Sequence, residues 1–410
     1  MNAHHPGPGT AAPAVSHSGS STDPDFPAGR IVVVTLVAAA LFVLTQLYAA
    51  IPLLSPVATD LGGSATFALS TSFSLTYAVG FLIWGPVSDR YGRKRIMAIA
   101  IGVLAVATLL CGFASSLPAL AVLRALQGLA AAGFAPVALA YLTEAVTPAR
   151  RVGAIGAMST AFLVAGIFGQ VVASLIVLCA DWEWFFLLSA AVLAVTFILT
   201  LALVREVPRH APPMSLLKQF GTLARLLVKP VIVLLSIANV TLLLSFVALY
   251  TGIGQHLESF DVPASDIILI RSVALPAMFV CLFVGTLAKR LGVTRVAQLG
   301  FTLAAIGMLG EALLSGTLPG LISASIVYVA GVALAVPSMI NLHGETAAPN
   351  RASGMAINGF VLFIGASIGP LVGGAVTDFS TLAIILVALL ILAAVSILGV
   401  AILNRKGTRS

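Results

Sequence analysis

Apolar residues in this chain fall in long unbroken runs, and polar residues gather in the short stretches between them. Runs near 31–53, 67–87, 96–115, 118–142, 152–178, 183–204, 231–255, 265–288, 294–315, 319–342, 353–376 and 380–403 are each about the 20 residues that a helix needs to cross roughly 30 Å of hydrocarbon. They are numbered spans 1 to 12 below. The pattern predicts an all-α membrane protein in which twelve transmembrane helices follow one another with short loops.

Charge orients this thread. Of 21 lysines and arginines, all but Arg124 and Arg271 fall on one side: in the tail at Arg30, in the connections after even-numbered spans, and at the end of the chain. Basic residues collect on the cytoplasmic side of membrane proteins, so both termini are expected in the cytoplasm of a cell with this protein in its plasma or inner membrane. With 60% hydrophobic and 9% charged residues, against about 25% charged in soluble domains, the bilayer is the solvent. The net charge of +7 then serves topology. No basic segment forms a soluble module for nucleic acid.

Residues 1–30, rich in Gly, Pro, Ser, Ala and His, read as a disordered cytoplasmic tail without the charged start and short apolar core of a signal peptide. Its His4, His5 and His17 are not expected to form a specific metal site. Cys111, Cys179 and Cys281 lie in apolar runs and read as buried free thiols. Residues 205–230, beginning with prolines and continuing as SLLKQFGTLARLLVK, suit a linker with a helix lying in the membrane surface. It joins residues 31–204 to residues 231–404, and 405–410 form a second short tail.

The two halves repeat each other at an offset of about 200. Gly85, Arg90 and Gly92 after span 2 correspond to Gly285, Arg290 and Gly292 after span 8. Gly169 of span 5 corresponds to Gly369 of span 11, and Glu144, Pro148 and Arg150 match Glu345, Pro349 and Arg351 one residue further on. Such parallel repeats make two pseudo-symmetric six-helix bundles around an axis along the membrane normal, with a substrate path between them.

GPVSDRYGRKR, between spans 2 and 3, resembles the signature loop of the major facilitator superfamily, G-x-x-x-D-R/K-x-G-R-R/K, with Gly85, Asp89, Arg90, Gly92, Arg93 and Lys94 at the defining positions. Gly85 is expected to let helices pack closely, Gly92 to allow a tight turn, and Asp89 to pair with an arginine while capping a helix start. The resemblance implies that this cluster latches the cytoplasmic side, with Glu144 joining through Arg93. RALQG in span 4, with Arg124, Gln127 and Gly128, resembles a second motif associated with proton-coupled members. Arg124 either tunes a proton site or is a structural arginine bonded to backbone carbonyls.

Span 5 resembles the exporter motif G-x-x-x-G-P-x-x-G-G only in part, keeping Gly166 and Gly169 but holding Gln170 at the proline position. Span 11 carries the better copy, with Gly365, Gly369 and Gly373 as a stripe for close helix contact and Pro370 as a bend. DWEWFF before span 6 resembles a family loop with two tryptophans, and Trp182 and Trp184 read as interfacial anchors.

A proton site is harder to place. Span 1 has no acid, and of the fourteen acidic residues only Glu311, in span 9, lies well within an apolar run. It is either a proton carrier or an ion-pair partner for Arg271. Coupling could otherwise run through Asp89 and Glu144, or through His256. Cavity candidates are Gln46, Tyr48, Tyr77, Gln170, Asn239, Tyr250, Tyr328 and Asn358, a lining with few fixed charges that suits a neutral or amphiphilic compound.

The first reading is therefore a monomeric, proton-coupled exporter of small amphiphilic compounds, using no cofactor and no catalytic residue. The alternative is a transporter of a native metabolite such as a sugar or an amino acid. A receptor would need an added soluble domain, and an enzyme would need a His, Asp or Cys constellation within the spans.

Overall fold

The computed structural model of the chain describes residues 28–207, 216–258, 272–348 and 350–407. Eleven helices among these are long and apolar enough to cross a membrane, covering all the predicted spans except span 8. In place of span 8 the described residues form a helical run from Leu275 to Leu291 with a 3-10 stretch at Phe279–Phe283. The fold is the predicted all-α one of two six-helix bundles. Side chains such as Val106, Val122, Ile198, Ile306, Ile384 and Val395 are exposed, which is how a protein solvated by lipid presents its outer face.

Internal symmetry extends to backbone detail. Gly92 and Gly292 both turn with positive φ, 107° and 85°, a conformation that L side chains rarely adopt. Span 4 begins at Leu117–Pro118 after an extended Ser116, and span 10 begins at Leu318–Pro319 after an extended Thr317. Proline is tolerated at such starts because its missing N–H would have had no helical partner. At the far end, Asp378 caps span 12 by accepting the Thr381 backbone N–H at 2.7 Å. Hydrogen bonds from Thr381 hold its carboxyl below the usual carboxylate range.

Two spans depart from regular helix. Span 1 runs Arg30–Tyr48, breaks at Ala49 and resumes as Ala50–Leu61, because the Pro52 ring would clash with the carbonyl four residues earlier and offers it no N–H. Span 2 begins with a π-turn at Phe67–Thr71. Broken helices survive inside a membrane only where neighbouring groups satisfy the freed backbone.

Within each bundle glycines set the approach of helices. A Cβ on Gly365 would fall on the Val240 carbonyl oxygen, one on Gly369 would lie 2.8 Å from that of Leu244, and one on Gly373 2.6 Å from that of Ala248. The stripe of span 11 thus rides along a matching i, i+4, i+8 row of span 7. Gly365→Ala should lower thermal stability by about 2 kcal/mol, in the range of overpacked cores, measured by melting of the purified protein. An unchanged melting temperature would mean that spans 7 and 11 are less tightly joined. Gly128 brings span 4 onto span 2 in the same way, against the Phe73 carbonyl and 2.5 Å from Thr76 Oγ1.

Candidate functional site

The signature loop folds around Arg93. Its guanidinium makes an ion pair with Asp89, and it bonds Glu144 Oε1 at 2.9 Å and Ser88 Oγ through Nη1 at 2.6 Å. One side chain therefore ties the end of span 2 to the start of span 3 and the end of span 4. Arginine suits this because its planar fork can serve two carboxylates at once. All these bonds stay within the first bundle, and among the described residues no ion pair crosses to the second. In the second copy Lys289 and Val293 occupy the places of Asp89 and Arg93, so the repeat has lost this network.

Two expectations for the loop are corrected. Asp89 does not cap span 3: Glu206, just past span 6, does so, accepting from the backbone N–H groups of Lys94 and Arg95 at 3.3 Å each. Its carboxylate covers Gly92, where a Cβ would sit 2.7 Å from Oε2, and the unpaired N–H groups at a helix start favour such a carboxylate. Gly85 does not mark close packing either, since a Cβ there would meet nothing within 4 Å. Lys94 Nζ bonds the Leu201 carbonyl at 2.9 Å, and Arg90 lies over the Tyr91 ring. A groove of about 580 Å³ between spans 3 and 6 lies next to Lys94 and Glu206, floored by Ile99, Val103 and Phe197; it is part of the outer surface, remote from the path between the bundles.

Arg124 is fully buried and bonds three acceptors: the Leu69 carbonyl at 2.8 Å, the Gln46 carbonyl at 2.9 Å and Gln127 Oε1 at 2.9 Å. Leu69 lies in the π-turn of span 2, and Gln46 lies just before the break in span 1. The guanidinium thus serves both irregular backbones. Phe73 stacks beneath it at 4.4 Å, and Gln127 in turn donates to Thr108 Oγ1 at 2.7 Å. No acid neutralises this charge among the described residues.

The two bundles meet along spans 2 and 11, with further contacts from spans 1, 5, 7 and 8. Tyr77 packs edge-on against Phe363 at 4.3 Å, Phe81 lies 5.3 Å from the same ring, and Thr71 donates to the Ser367 carbonyl at 3.0 Å. Gly359 makes room for an aromatic side chain: a Cβ there would fall on the Phe81 ring. Tyr48 meets Phe246 at 5.9 Å, and Phe246 leads on to Tyr250 at 4.8 Å. Gly166 gives room for Phe246 and Met278 of the other bundle, which would lie 3.3 and 3.5 Å from a Cβ at this position, whereas Gly169 packs on span 1 at Thr45.

Three amides on spans 1, 5 and 7 have a defined orientation. Gln46 Nε2 donates to the Phe42 carbonyl at 3.4 Å, Gln170 Nε2 to the Gly166 carbonyl at 2.8 Å, and Asn239 Nδ2 to the Asn358 carbonyl at 2.7 Å. A backbone carbonyl can only accept, so the amide nitrogen must lie on that side. Among the described residues, the amide oxygens of Gln46, Gln170, Asn239 and Asn358, and the Tyr77 hydroxyl, are left buried without a partner. Gln170 uses the proline position of the span 5 motif for this purpose, while Pro370 is buried in span 11.

Tyr328 is placed elsewhere, inside the second bundle, with its hydroxyl 2.9 Å from Ser245 Oγ. Glu311 lies on the neighbouring span 9 with both oxygens unpartnered among the described residues. Arg271 lies outside the described residues, so its pairing with Glu311 remains an expectation. His256 stacks on Phe379 and faces the Ser315 carbonyl at 3.0 Å. Trp182 is buried and donates to Asp60 at 3.1 Å, while Trp184 is half-exposed as an interfacial anchor would be. Sequence reasoning missed His343, buried in span 10 with Nδ1 on the Met339 carbonyl at 2.9 Å, because it sits near a loop in the HGET stretch. It also missed Gly359 and Glu206, whose partners are remote in sequence.

Comparison with known proteins agrees with this architecture. The nucleoside transporter NupG superposes over 90% of this chain and 99% of its own with a TM-score of 0.68 at 15% identity, a likeness of fold alone. An uncharacterized MFS-type transporter of Mycobacterium tuberculosis is 35% identical over 149 residues, 36% of this chain and 26% of that protein. Multidrug resistance protein MdtG of Proteus mirabilis is 33% identical over 138 residues, 33% of this chain and 34% of its own. Multidrug export protein EmrB of Haemophilus influenzae is 31% identical over 139 residues, 33% and 27% of the two chains. The chain thus spans about a quarter to a third of the length of these curated relatives. The family profile described as Major Facilitator Superfamily matches residues 36–349, and with the signature loop built around Arg93 and the twofold repeat of six spans, this chain belongs to the major facilitator superfamily.

Proposed function

We propose that the protein is a proton-coupled exporter of small, uncharged amphiphilic compounds, working as a monomer with both termini in the cytoplasm. In this reading residues 31–204 and 231–404 rock against each other about the seam, linked by 205–230, and open the path first to one side and then to the other. The observation that carries it is the chemistry of the seam. Its rings, Tyr48, Tyr77, Phe81, Phe246 and Phe363, offer apolar faces, and the spans that meet there carry four amide oxygens and one phenol that are buried without a partner among the described residues. Ligand sites of this kind are mostly apolar with a few placed polar groups.

A fixed charge behind this lining is Arg124, bonded to the Gln46 carbonyl and without an acidic partner among the described residues. A unit charge acts over 10 Å with about 1.7 kcal/mol at an effective dielectric of 20, so cations are disfavoured relative to neutral compounds. The amide oxygens favour substrates that carry N–H or O–H donors. That feature also supports the second reading, a transporter of a hydroxylated metabolite. The relatives named as multidrug proteins align over only about a third of this chain, so they support the class of transport and no residue.

The test is internal pH in proteoliposomes carrying this protein, with an imposed proton gradient and a panel of neutral drugs, lipophilic cations, sugars and amino acids. Proton movement driven by neutral amphiphiles, and at least tenfold less by cations of the same size, is expected. Proton movement driven by sugars or amino acids alone would replace the first reading with the second.

A further inference from the structure

One carboxyl is buried away from the seam. Glu311 of span 9 is 0% exposed, and among the described residues neither of its oxygens has a hydrogen-bond partner. Close packing holds it there: a Cβ on Gly310 would lie 3.0 Å from Ala324 Cβ, and one on Gly307 would fall on the backbone of Tyr328. Spans 9 and 10 therefore meet almost backbone to backbone at the level of Glu311. From span 10, Ser325 approaches the carboxyl and Tyr328 lies within its electrostatic reach. The Tyr328 hydroxyl is 2.9 Å from Ser245 Oγ of span 7. Ser245 precedes Phe246, whose ring packs on Tyr48 across the seam. The Tyr328 and Ser245 hydroxyls thus join span 10, next to Glu311, to span 7, the helix whose Phe246 reaches the place where the bundles meet.

A carboxylate that has left water needs a cation or several hydrogen-bond donors, and without them it takes up a proton instead. Among the described residues, the helices packed on span 9 supply no cation at this level; on span 8, Lys289 and Arg290 lie at the opposite, cytoplasmic end. Span 12 has no ionisable side chain from Phe379 to Leu403, and span 10 offers only Tyr328 within two turns of Ser325. His343 is 18 residues further along span 10, about 27 Å at 1.5 Å per residue. Span 7 adds Tyr250 and, at its end, His256, which faces the Ser315 carbonyl.

We propose that Glu311 holds a proton in the resting protein and is the residue that takes up and releases the coupling proton, exchanging it with the seam through Tyr328 and Ser245. In release, the Glu311 side chain turns to Tyr328 and its carboxylic O–H proton passes to the Tyr328 oxygen as Tyr328 hands its own to Ser245 and Ser245 hands its own to water at the seam. One proton leaves, both hydroxyls end as they began after turning, and the charge stays on Glu311 until a proton returns from the other side. This rests on the proton-coupled reading above and names the site that would perform it.

The first test needs no substrate. Full-length protein in nanodiscs is treated at neutral pH with dicyclohexylcarbodiimide, which adds to protonated carboxyls in apolar surroundings, and infrared spectra are compared with those of Glu311→Gln. An adduct on the peptide carrying Glu311, and a carboxylic-acid C=O band lost in the variant, are expected. Neither appearing would overturn the proposal. Gln is nearly isosteric with the protonated acid, so the melting temperature should be unchanged; a marked fall would show a charged carboxylate in an ion pair and overturn it as well.

In proteoliposomes, Glu311→Gln should keep substrate exchange and lose at least tenfold in substrate-driven proton flux, and Tyr328→Phe should slow that flux. Wild-type proton flux that Glu311→Gln leaves intact would overturn the coupling role. A protonated Glu311 in a wild type that moves no protons would instead overturn the proton-coupled reading, and the coupling role with it.

Discussion

Arg124→Met is expected to destabilise the protein by about 4 kcal/mol, because two or three hydrogen bonds to a charged donor are worth about 1.5–3 kcal/mol each and methionine replaces none of them. The lost acceptors are not ordinary helix carbonyls. Leu69 belongs to the π-turn that opens span 2, and Gln46 precedes the break forced by Pro52 in span 1. Both irregular backbones would face apolar surroundings without a partner. Arg124→Lys should recover little, since one ammonium cannot span acceptors on two helices and Gln127 as a planar fork does. Melting of the purified protein, read beside the amount of folded protein recovered, checks this. If the variant instead melts normally and keeps substrate exchange while losing gradient-driven accumulation, Arg124 acts in coupling and its backbone bonds are incidental to stability.

That result bears on how far the sequence could be read. Eleven of the twelve spans, the twofold repeat and the pairing of Arg93 with Glu144 were legible because they rest on long apolar runs, matched spacing and opposite charges at neighbouring span ends. The positive φ of Gly92 and Gly292 follows from the same repeat. The glycine stripe of span 11 was legible as a packing face, although its partner row on span 7 was not. Glu206 was hidden because a helix cap is usually sought next to the helix start, and this one arrives from beyond span 6, over a hundred residues later. Gly85 misled because a family position says that a small residue is needed without saying in which conformation. In this one it faces open space. Arg124 was visible as an expensive buried charge, but its two readings separate only once the broken backbones of spans 1 and 2 are seen to lie within its reach.

The latch gives the second large effect. Asp89→Asn keeps the shape of the side chain and removes its charge, so Arg93 retains Glu144 and Ser88 but loses one of its two carboxylates. The Asp89 side chain is 37% exposed, and pairs so open to water contribute about 1 kcal/mol or less to stability, so the folded protein should be recovered in normal amount with little change in melting temperature. Transport is more sensitive than folding. If the Asp89–Arg93–Glu144 network is made in one state of the rocking cycle and strained in the other, each 1.4 kcal/mol taken from it shifts the ratio of states tenfold. A fall in substrate flux of up to about fivefold is therefore expected, with ligand affinity shifted by the change in the competent fraction. Arg93→Lys should act in the same direction, because a single ammonium can no longer tie spans 2, 3 and 4 together. Normal flux in both variants would remove the latch from the mechanism and leave its basic residues with a topogenic role alone, whereas loss of folded protein would make the cluster a structural clasp of the first bundle.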